Sequence, residues 1–97
     1  MYFKDFKRIS KIGDYMCYVY ILECADKSLY TGWTVDLDKR LKKHNEGTAS
    51  KYTRARLQVK LVYYEIYDNK IDAQPREWYI KKLSRKEKLK LIKRRDS

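Results

Sequence analysis

The stretch from Met16 to Thr34 limits what this chain can fold into more than any other part of the sequence. Its first half, Tyr18 to Leu22, consists of aromatic, β-branched and apolar residues, which is the composition of a β-strand. A short polar break at 25–28 suits a hairpin loop, and a second strand is predicted over 29–34. Gly32 lies inside that strand, where a glycine often marks a bulge or a close approach of the backbone. We therefore predict an antiparallel hairpin, whose tyrosines serve either a functional site or ordinary cross-strand packing.

The net positive charge of the chain favours anionic partners. The 97 residues suit one domain with a modest core, and they carry 24 lysines and arginines against 13 acidic residues, a net charge of +11. A field of this sign is typical of proteins that bind nucleic acid or an anionic membrane, although it also favours plain solubility. Ten tyrosines are interleaved with the cations. Because aromatic faces among cations suit a polyanion that carries bases, we expect a nucleic-acid partner.

The cysteines and the lack of long apolar runs bear on the cellular compartment of the protein. Cys17 and Cys24 would lie roughly 23 Å apart along one strand, at ~3.3 Å per residue, and cannot bridge each other there. Two unpaired cysteines favour the reducing cytoplasm, and with a single histidine they give no zinc-binding spacing. No apolar run reaches the length of a membrane span, and the N-terminus is charged throughout, unlike a signal peptide. We expect a cytoplasmic protein with no membrane partner.

The first fifteen residues differ from the rest of the chain. Residues 1–15 are basic and weakly patterned, so we assign no firm element to them. We interpret 1–15 as a basic N-terminal extension and 16–97 as a single domain. No repeat, linker or low-complexity segment divides the second part.

A first helix is predicted after the hairpin. Leu37, Leu41 and His44 recur at helical spacing and define one face, with Arg40 beside it. Thr34 and Asp36 are both suited to the N-terminal cap or the first turn. A cation on an inward face is costly unless it is paired or solvated. Arg40 therefore either lays its stem on the core with its charge outside, or binds a ligand. His44 is either an ordinary histidine at a helix end or part of a site.

The segment at 48–56 is polar and basic. It combines hydroxyl groups, an aromatic ring and cations. A loop or short helix of this kind suits phosphate contacts, although it also suits a solvated connector. The residues that we assign to nucleic-acid contact in this segment are Lys51, Tyr52, Thr53 and Arg54.

A third strand and a last helix complete the pattern. The third strand is predicted over 57–67, and apolar residues on both of its faces imply that both faces are covered. The sequence SRKE at 84–87 matches a capping box and predicts the start of the last helix. On the third strand, one face is expected to carry Val59, Leu61, Tyr63 and Tyr67, and the other Val62, Tyr64 and Ile66.

A second long helix is predicted to begin near Asp72. Pro75 has no backbone N–H and is tolerated only in a first turn, which favours this start over a cap at Asn69. Glu77 then shares a face with Ala73 and other small or apolar residues. A carboxylate on such a face needs a cation, a metal ion or a raised pKa. A salt bridge to one of the many nearby lysines or arginines is the simplest of these explanations.

In their order, these features resemble the GIY-YIG nuclease superfamily. The hairpin carries YVY at 18–20 and YTG at 30–32, which resemble the two halves of the motif that names the superfamily. Arg40, His44 and Glu77 follow in the matching order, and the resemblance covers most of the chain, including LYTGWTVDLDKRLKKHNEG and IKKLSRKEK. It is similar in particular to the small single-domain bacterial branch. The resemblance implies an α/β (α+β) fold in which helices flank a central three-stranded antiparallel sheet.

The same resemblance implies a catalytic site made of Tyr20, Tyr30, Arg40, His44 and Glu77. Arg40 would donate two hydrogen bonds to the scissile phosphate, and Glu77 would hold a single Mg²⁺ or Mn²⁺ ion. Tyr20 is our candidate for the general base and His44 is its rival, while Tyr30 would orient water or phosphate. We expect nucleic acid to contact Gly32 and the segment 51–54.

The implied function is that of a metal-dependent endonuclease. It would hydrolyse phosphodiester bonds in DNA, including structured or damaged DNA, with DNA favoured over RNA as the partner, and its sequence specificity would either be low or be supplied by a protein partner. Some nucleases of the superfamily place an asparagine after the metal-binding carboxylate, whereas no asparagine follows Asn69 here. This departure keeps open a catalytically weak nucleic-acid-binding module on a nuclease fold. A protein-interaction domain that uses the tyrosine surface is a third hypothesis.

Overall fold

Three strands and four helices make up the part of the chain that the structure describes. The structure is a computed structural model that describes residues 16–96, so the predicted extension at 1–15 lies outside the described residues. Within 16–96 no helix has the length and apolar character needed to cross a bilayer. In chain order the elements are β1 (Cys17–Glu23), β2 (Leu29–Thr34), α1 (Leu37–Asn45), α2 (Lys51–Arg54), β3 (Lys60–Tyr67), α3 (Lys70–Lys81) and α4 (Arg85–Asp96).

The strands form one antiparallel sheet in the order β2-β1-β3, which confirms the predicted fold class. The central strand β1 is buried along almost its whole length, because it is paired on both sides and covered on both faces. In the hairpin, Tyr20 lies opposite Gly32 and Leu22 lies opposite Tyr30. Residues opposite each other point to the same face of a sheet. Tyr20 and Tyr30 therefore share a face, which the sequence could not establish.

The two faces of the sheet are covered by different helices. On the face of Tyr20, the core includes Leu37 and Leu41 of α1. On the opposite face, Ala73 and Ile80 of α3 are fully buried against β1 and β2. Because β2 is an edge strand, α1 and α3 lie on either side of an open edge. Side chains from both helices can meet there.

A β-bulge in β3 overturns the predicted alternation of its faces. Ile21 pairs with Tyr63, but the next residue, Leu22, pairs with Leu61, so Val62 is an extra residue on β3. Leu61 consequently packs in the core beneath α1, and Val62 packs with Tyr63 on the other face. The prediction had placed Leu61 beside Tyr63. A strict period of two cannot describe a strand that contains a bulge.

The predicted start of the second long helix was wrong as well. Helix α3 begins at Lys70, because Oδ1 of Asn69 accepts a hydrogen bond of 2.9 Å from the backbone N–H of Asp72. Pro75 consequently lies in the interior of the helix, where it removes one intrahelical hydrogen bond. Burial of the helix face that includes Ala73 outweighs this local cost, since most helical stability in proteins comes from packing.

The caps predicted for two other helices are present. Oδ1 of Asp36 accepts a hydrogen bond of 3.1 Å from the backbone N–H of Lys39 and begins α1. At the start of α4, Ser84 and Glu87 exchange the reciprocal bonds of a capping box. Short side chains that bond their own backbone act locally, so the sequence alone identified them.

Candidate active site

An open cleft of about 370 Å³ lies at the β2 edge of the sheet. The hairpin contributes Tyr20 and Tyr30 to its wall, α1 contributes Arg40, and α3 contributes Glu77. Four of the five residues predicted as catalytic therefore meet in one place, while His44 lies behind Tyr20. The residues that line the cleft are Tyr20, Tyr30, Gly32, Trp33, Thr34, Val35, Arg40 and Glu77.

The cation and the carboxylate of the cleft do not neutralise each other. Glu77 makes an ion pair of 3.3 Å with Lys81, one helical turn further along α3, and its side chain is only 15% exposed. Within residues 16–96, no ion pair joins Arg40 to Glu77. The Lys81 side chain is mostly exposed, so solvent screens its pair with Glu77 and the pair contributes little stability. Arg40 and Glu77 both remain available to a ligand between them.

Gly32 makes room for the phenol of Tyr20. A Cβ atom at Gly32 would stand 2.6 Å from the hydroxyl oxygen of Tyr20 and 2.8 Å from its Cζ, distances that real Cβ atoms do not show. The ring of Tyr20 thus lies over the backbone of β2, and its hydroxyl group reaches the wall of the cleft. The glycine that the sequence marked inside this strand is required for that close approach.

A chain of buried hydrogen bonds runs inward from the cleft. The hydroxyl of Tyr20 is 2.8 Å from Nε2 of His44, and Nδ1 of His44 is 2.8 Å from Oγ1 of Thr53. Oγ1 of Thr53 is in turn 3.0 Å from Oγ of Ser50, the cap of α2. His44 and Thr53 are both completely buried. The Thr53 hydroxyl therefore faces His44 rather than solvent, and its contact with nucleic acid remains a prediction.

The titration behaviour of this chain follows from its burial. Burial, assisted by the positive charge of Arg40, lowers the pKa of His44 to about 4. Burial also raises the pKa of Tyr20 well above its usual value, and Tyr30 and Glu77 add to the rise while Arg40 opposes it. Both groups are neutral near pH 7. A neutral imidazole has one donor and one acceptor nitrogen, so His44 can accept from the phenol and donate to Thr53.

Tyr30 is held in place by a series of stacked groups. Its ring meets the edge of His44 at 5.1 Å between centroids and stacks on Tyr52 at 6.0 Å. The guanidinium of Arg56 lies 3.8 Å from the centre of the Tyr52 ring and forms an ion pair of 3.1 Å with Asp26. Tyr52 therefore contacts both Tyr30 and Arg56, and it supports the ring of Tyr30 while part of its own surface stays exposed.

Lys51 and Arg54 lie apart from the cleft. Both are exposed, and they line a separate surface groove of about 460 Å³ with residues 47–50. Of the predicted nucleic-acid contacts, these two keep their charges at the surface. The residue types alone do not separate Lys51 and Arg54 from Thr53. A signal was present, however, because Ser50 and Thr53 are spaced as a helix cap and its partner.

The side chains of the cleft fit a hydrated magnesium-like ion better than a tightly caged metal. Groups of three or more histidine, cysteine, aspartate or glutamate side chains that could surround a metal are absent from the described residues. Among the residues that line the cleft, Glu77 provides the carboxylate. Mg²⁺ keeps several water ligands and is commonly bound by one or two carboxylates together with a substrate phosphate. Glu77 therefore fits such a cation.

Comparison with known proteins identifies the family. The family model described as the GIY-YIG catalytic domain matches residues 16–90. The chain belongs to the GIY-YIG family. This finding confirms the resemblance seen in the sequence, and it means that the chain has a nuclease fold whose family members generally use a divalent metal.

Relatives of known sequence and structure agree with this family. The chain is 64% identical to a UPF0213 protein of Clostridium perfringens over 79% of its own length and 83% of that protein. It is 58% identical to a UPF0213 protein of Syntrophus aciditrophicus, over 78% and 88% of the two chains. The solution NMR structure of a UPF0213 protein from Bacillus halodurans is similar, with 46% identity, a TM-score of 0.53 and coverage of 80% and 83%. This likeness supports the small single-domain architecture.

Proposed function

We propose that this protein is a metal-dependent endonuclease that hydrolyses phosphodiester bonds in DNA. The observation that supports this proposal best is the separation of Arg40 from Glu77 across one open cleft, with Tyr20 and Tyr30 in its wall. A cation and a carboxylate that served only each other would form a direct pair and close the space between them. Kept apart, they suit a phosphate and a hydrated cation.

Charge in the transition state is stabilised by groups on opposite sides of the cleft. A phosphodiester gains negative charge on its nonbridging oxygens as water attacks, and Arg40 can donate two hydrogen bonds to them. Glu77 would hold the divalent cation, which when bound supplies positive charge to the phosphate and the leaving oxygen. Because both groups are fixed on helices, little reorganisation is needed at the moment of reaction.

Tyr20 and His44 act in one proton path rather than as rival bases. The raised pKa of Tyr20 means that a free phenolate is costly. Tyr20 therefore accepts a proton from the attacking water as its own phenolic proton passes to Nε2 of His44, 2.8 Å away. The lowered pKa of His44 keeps that nitrogen unprotonated near pH 7. Thr53 accepts from Nδ1 and holds the ring in this tautomer.

Tyr30 positions the reactants from the neighbouring strand. Its ring is held between His44 and Tyr52, so its hydroxyl group has a defined position at the cleft wall. From there it orients the attacking water or the phosphate. Such positioning contributes to the rate by holding the reacting atoms close to the geometry of attack.

The partner that we propose is nucleic acid, with DNA preferred over RNA and with structured or damaged DNA among its forms. The net charge of +11 supports a polyanionic partner, and the exposed Lys51 and Arg54 supply phosphate contacts outside the cleft. Contacts with phosphates carry no sequence information, so we propose low specificity or specificity supplied by a protein partner. We place this activity in one domain at 16–97 and in the cytoplasm.

A second candidate function is a catalytically weak nucleic-acid-binding module. The ion pair between Glu77 and Lys81 favours it, because a carboxylate that already has a cation nearby binds a metal ion less readily. The lack of an asparagine after Asn69 points the same way. In this case the basic surface would bind nucleic acid and the cleft would turn over slowly.

The test is a cleavage assay on branched, nicked and single-stranded DNA and RNA, with Mg²⁺, Mn²⁺ or a chelator. We expect cleavage of at least one DNA that requires the metal and disappears in Glu77→Ala. Lys81→Ala is the matched control, and it should cleave at least as well as the wild type because it frees Glu77. Salt-sensitive binding to all these nucleic acids without metal-dependent cleavage would favour the binding module instead.

A further inference from the structure

A second groove continues the cleft along α1. It has a volume of about 360 Å³ and shares Thr34, Val35 and Arg40 with the cleft. The residues that it adds are Asp36, Lys39 and Lys43. The groove is therefore next to the cleft, and Arg40 belongs to the walls of both.

The charge of the groove suits an anion. Lys39 and Lys43 are exposed and stand one helical turn apart, on either side of Arg40 in the chain. In the part of the chain that the structure describes, neither lysine has an ion-pair partner. The carboxylate in the groove, that of Asp36, accepts a hydrogen bond from the backbone N–H of Lys39 as the helix cap. Positive charge thus prevails along this wall.

The spacing of the two lysines suits a single phosphate. Side chains four residues apart on a helix have Cβ atoms about 5–6 Å apart, so two flexible ammonium groups can approach one phosphate from both sides. Solvated lysines at helical spacing are common, and their charge alone would prove nothing. What distinguishes Lys39 and Lys43 is their shared groove with Arg40, since Lys42 on the same helix lines neither cavity.

We infer that Lys39 and Lys43 bind the phosphodiester next to the scissile one. The inference rests on the proposed function, because it takes Arg40 to contact the scissile phosphate. The nucleic-acid backbone then runs from the cleft along the first turns of α1, and the groove at 47–54 lies outside this path. These lysines are binding groups that set the position of the strand and take no part in bond cleavage.

Two substrates of different length test the inference. Bis(p-nitrophenyl) phosphate has one phosphodiester and no neighbour to occupy the groove, whereas an oligonucleotide supplies the next phosphate. We expect Lys39→Ala/Lys43→Ala to weaken oligonucleotide binding about tenfold or more, since hydrogen bonds to charged groups are lost. The slope of log affinity against log salt should fall by about 1, as for one lost phosphate contact. Hydrolysis of bis(p-nitrophenyl) phosphate should not change.

The control is Lys42→Ala, which removes one lysine charge from the same helix outside the groove, against two charges in Lys39→Ala/Lys43→Ala. It should change oligonucleotide affinity less than twofold. If Lys39→Ala/Lys43→Ala behaves like Lys42→Ala, the groove does not bind a phosphate. If it slows hydrolysis of bis(p-nitrophenyl) phosphate as much as that of the oligonucleotide, the lysines act at the scissile phosphate and the inference is wrong. Wild-type protein that neither binds nor cleaves any substrate would overturn the proposed function as well.

Discussion

Tyrosine hydroxyl groups are clustered on both faces of the sheet, but the two clusters have different partners. On the face that packs against α3, Glu65 accepts hydrogen bonds from Tyr63 and Tyr67. Arg76 adds two more bonds of 2.9 Å from its Nε and Nη2 atoms. Burial raises the pKa of Glu65, but the bonds from Arg76 and the tyrosines outweigh it and hold the pKa below its usual value.

On the face that packs against α1, the corresponding partner is uncharged. Tyr20 is bonded to the neutral imidazole of His44, and the charged groups Arg40 and Glu77 stand apart in the cleft. Within residues 16–96, no carboxylate accepts a hydrogen bond from Tyr20 or His44, whereas Glu65 accepts bonds from the tyrosines of the other cluster. The cluster of Glu65 is therefore internally satisfied, whereas in the cleft Glu77 has only its pair with the mostly exposed Lys81, and no ion pair joins it to Arg40 within the described residues.

The two clusters are therefore expected to serve different purposes, stability in the cluster of Glu65 and function in the cleft. A bidentate pair of arginine and carboxylate with further hydrogen bonds stabilises the packing of α3 on β3 and leaves nothing for a ligand. The cleft lacks such a pair between Arg40 and Glu77, and the proposed function explains why, because an arginine bound to its own carboxylate could not bind phosphate. Matched substitutions in the two clusters should consequently have opposite consequences, with activity lost on one face and stability lost on the other.

The largest effect is expected when one tyrosine hydroxyl group is removed from each cluster, at Tyr20 and at Tyr63. Tyr20→Phe should lower the rate of metal-dependent cleavage by about 10²–10⁴-fold, the usual contribution of a general base, while its ring still packs over Gly32. Tyr63→Phe should instead lower the free energy of unfolding by about 1–2 kcal/mol through loss of one bond to Glu65. Single-turnover kinetics and urea unfolding of both variants measure the two effects. Equal rates for Tyr20→Phe and the wild type would remove Tyr20 from the proton path.

The two arginines provide the next comparison. Arg40→Ala should slow cleavage by about 10²–10³-fold, because it removes donors aimed at the charge of the transition state. Arg76→Ala should leave the Glu65 carboxylate without its cation and lower the free energy of unfolding by about 2 kcal/mol, with little change in rate. The same two assays apply. A loss of stability in Arg40→Ala as large as that in Arg76→Ala would mean that the cleft is a structural ion-pair site.

A smaller effect is expected in the pH dependence of stability. The pKa of His44 is about 4 in the folded protein and 6.5 in its ordinary state, so the unfolded chain binds more protons between these values. Stability should therefore rise with pH across that window and fall on acidification through it. His44→Gln keeps a donor and an acceptor but cannot titrate, so it should lose less stability than the wild type between about pH 7 and about pH 4. If urea unfolding shows that His44→Gln and the wild type lose the same free energy of unfolding on acidification, His44 does not titrate as described.

The smallest effect is expected at the inner end of the hydrogen-bond chain. Thr53→Val removes the partner of His44 Nδ1 and should cost about 1 kcal/mol of stability, with a shifted pH–rate profile. Thr53→Ser keeps the hydroxyl group and should restore both properties. Failure of Thr53→Ser to restore the profile would indicate that the methyl group, rather than the hydrogen bond, matters at this position.

The sequence predicted the features that depend on local patterns. The strand composition around Tyr20, the face of α1 that buries Leu37 and His44, and the caps at Asp36 and Ser84 are each set by residues close in the chain. The co-location of Tyr20, Tyr30, Arg40 and Glu77 came from family resemblance, because no spacing rule brings residues from the hairpin and two helices to one sheet edge.

The features that the sequence did not predict depend on tertiary register. The bulge at Val62 exchanges the two faces of β3 for the residues on one side of it. No residue type near Val62 indicates a bulge. Thr53 lies in a segment that looks solvated, and only the packing of α2 beneath α1 buries it against His44. Likewise, the bond between Arg76 and Glu65 depends on how α3 lies on β3, and neither residue stood out in the sequence.

The most direct test of the central claim compares two glutamates, Glu77→Gln and Glu65→Gln, by single-turnover cleavage across a range of Mg²⁺ concentrations and by urea unfolding. We predict that Glu77→Gln loses all metal-dependent cleavage and keeps its free energy of unfolding within about 0.5 kcal/mol of the wild type. Glu65→Gln should unfold more easily, because Arg76 loses its charged partner, and should keep its response to Mg²⁺. Cleavage by Glu77→Gln at the wild-type rate and with the wild-type dependence on Mg²⁺ would contradict the account.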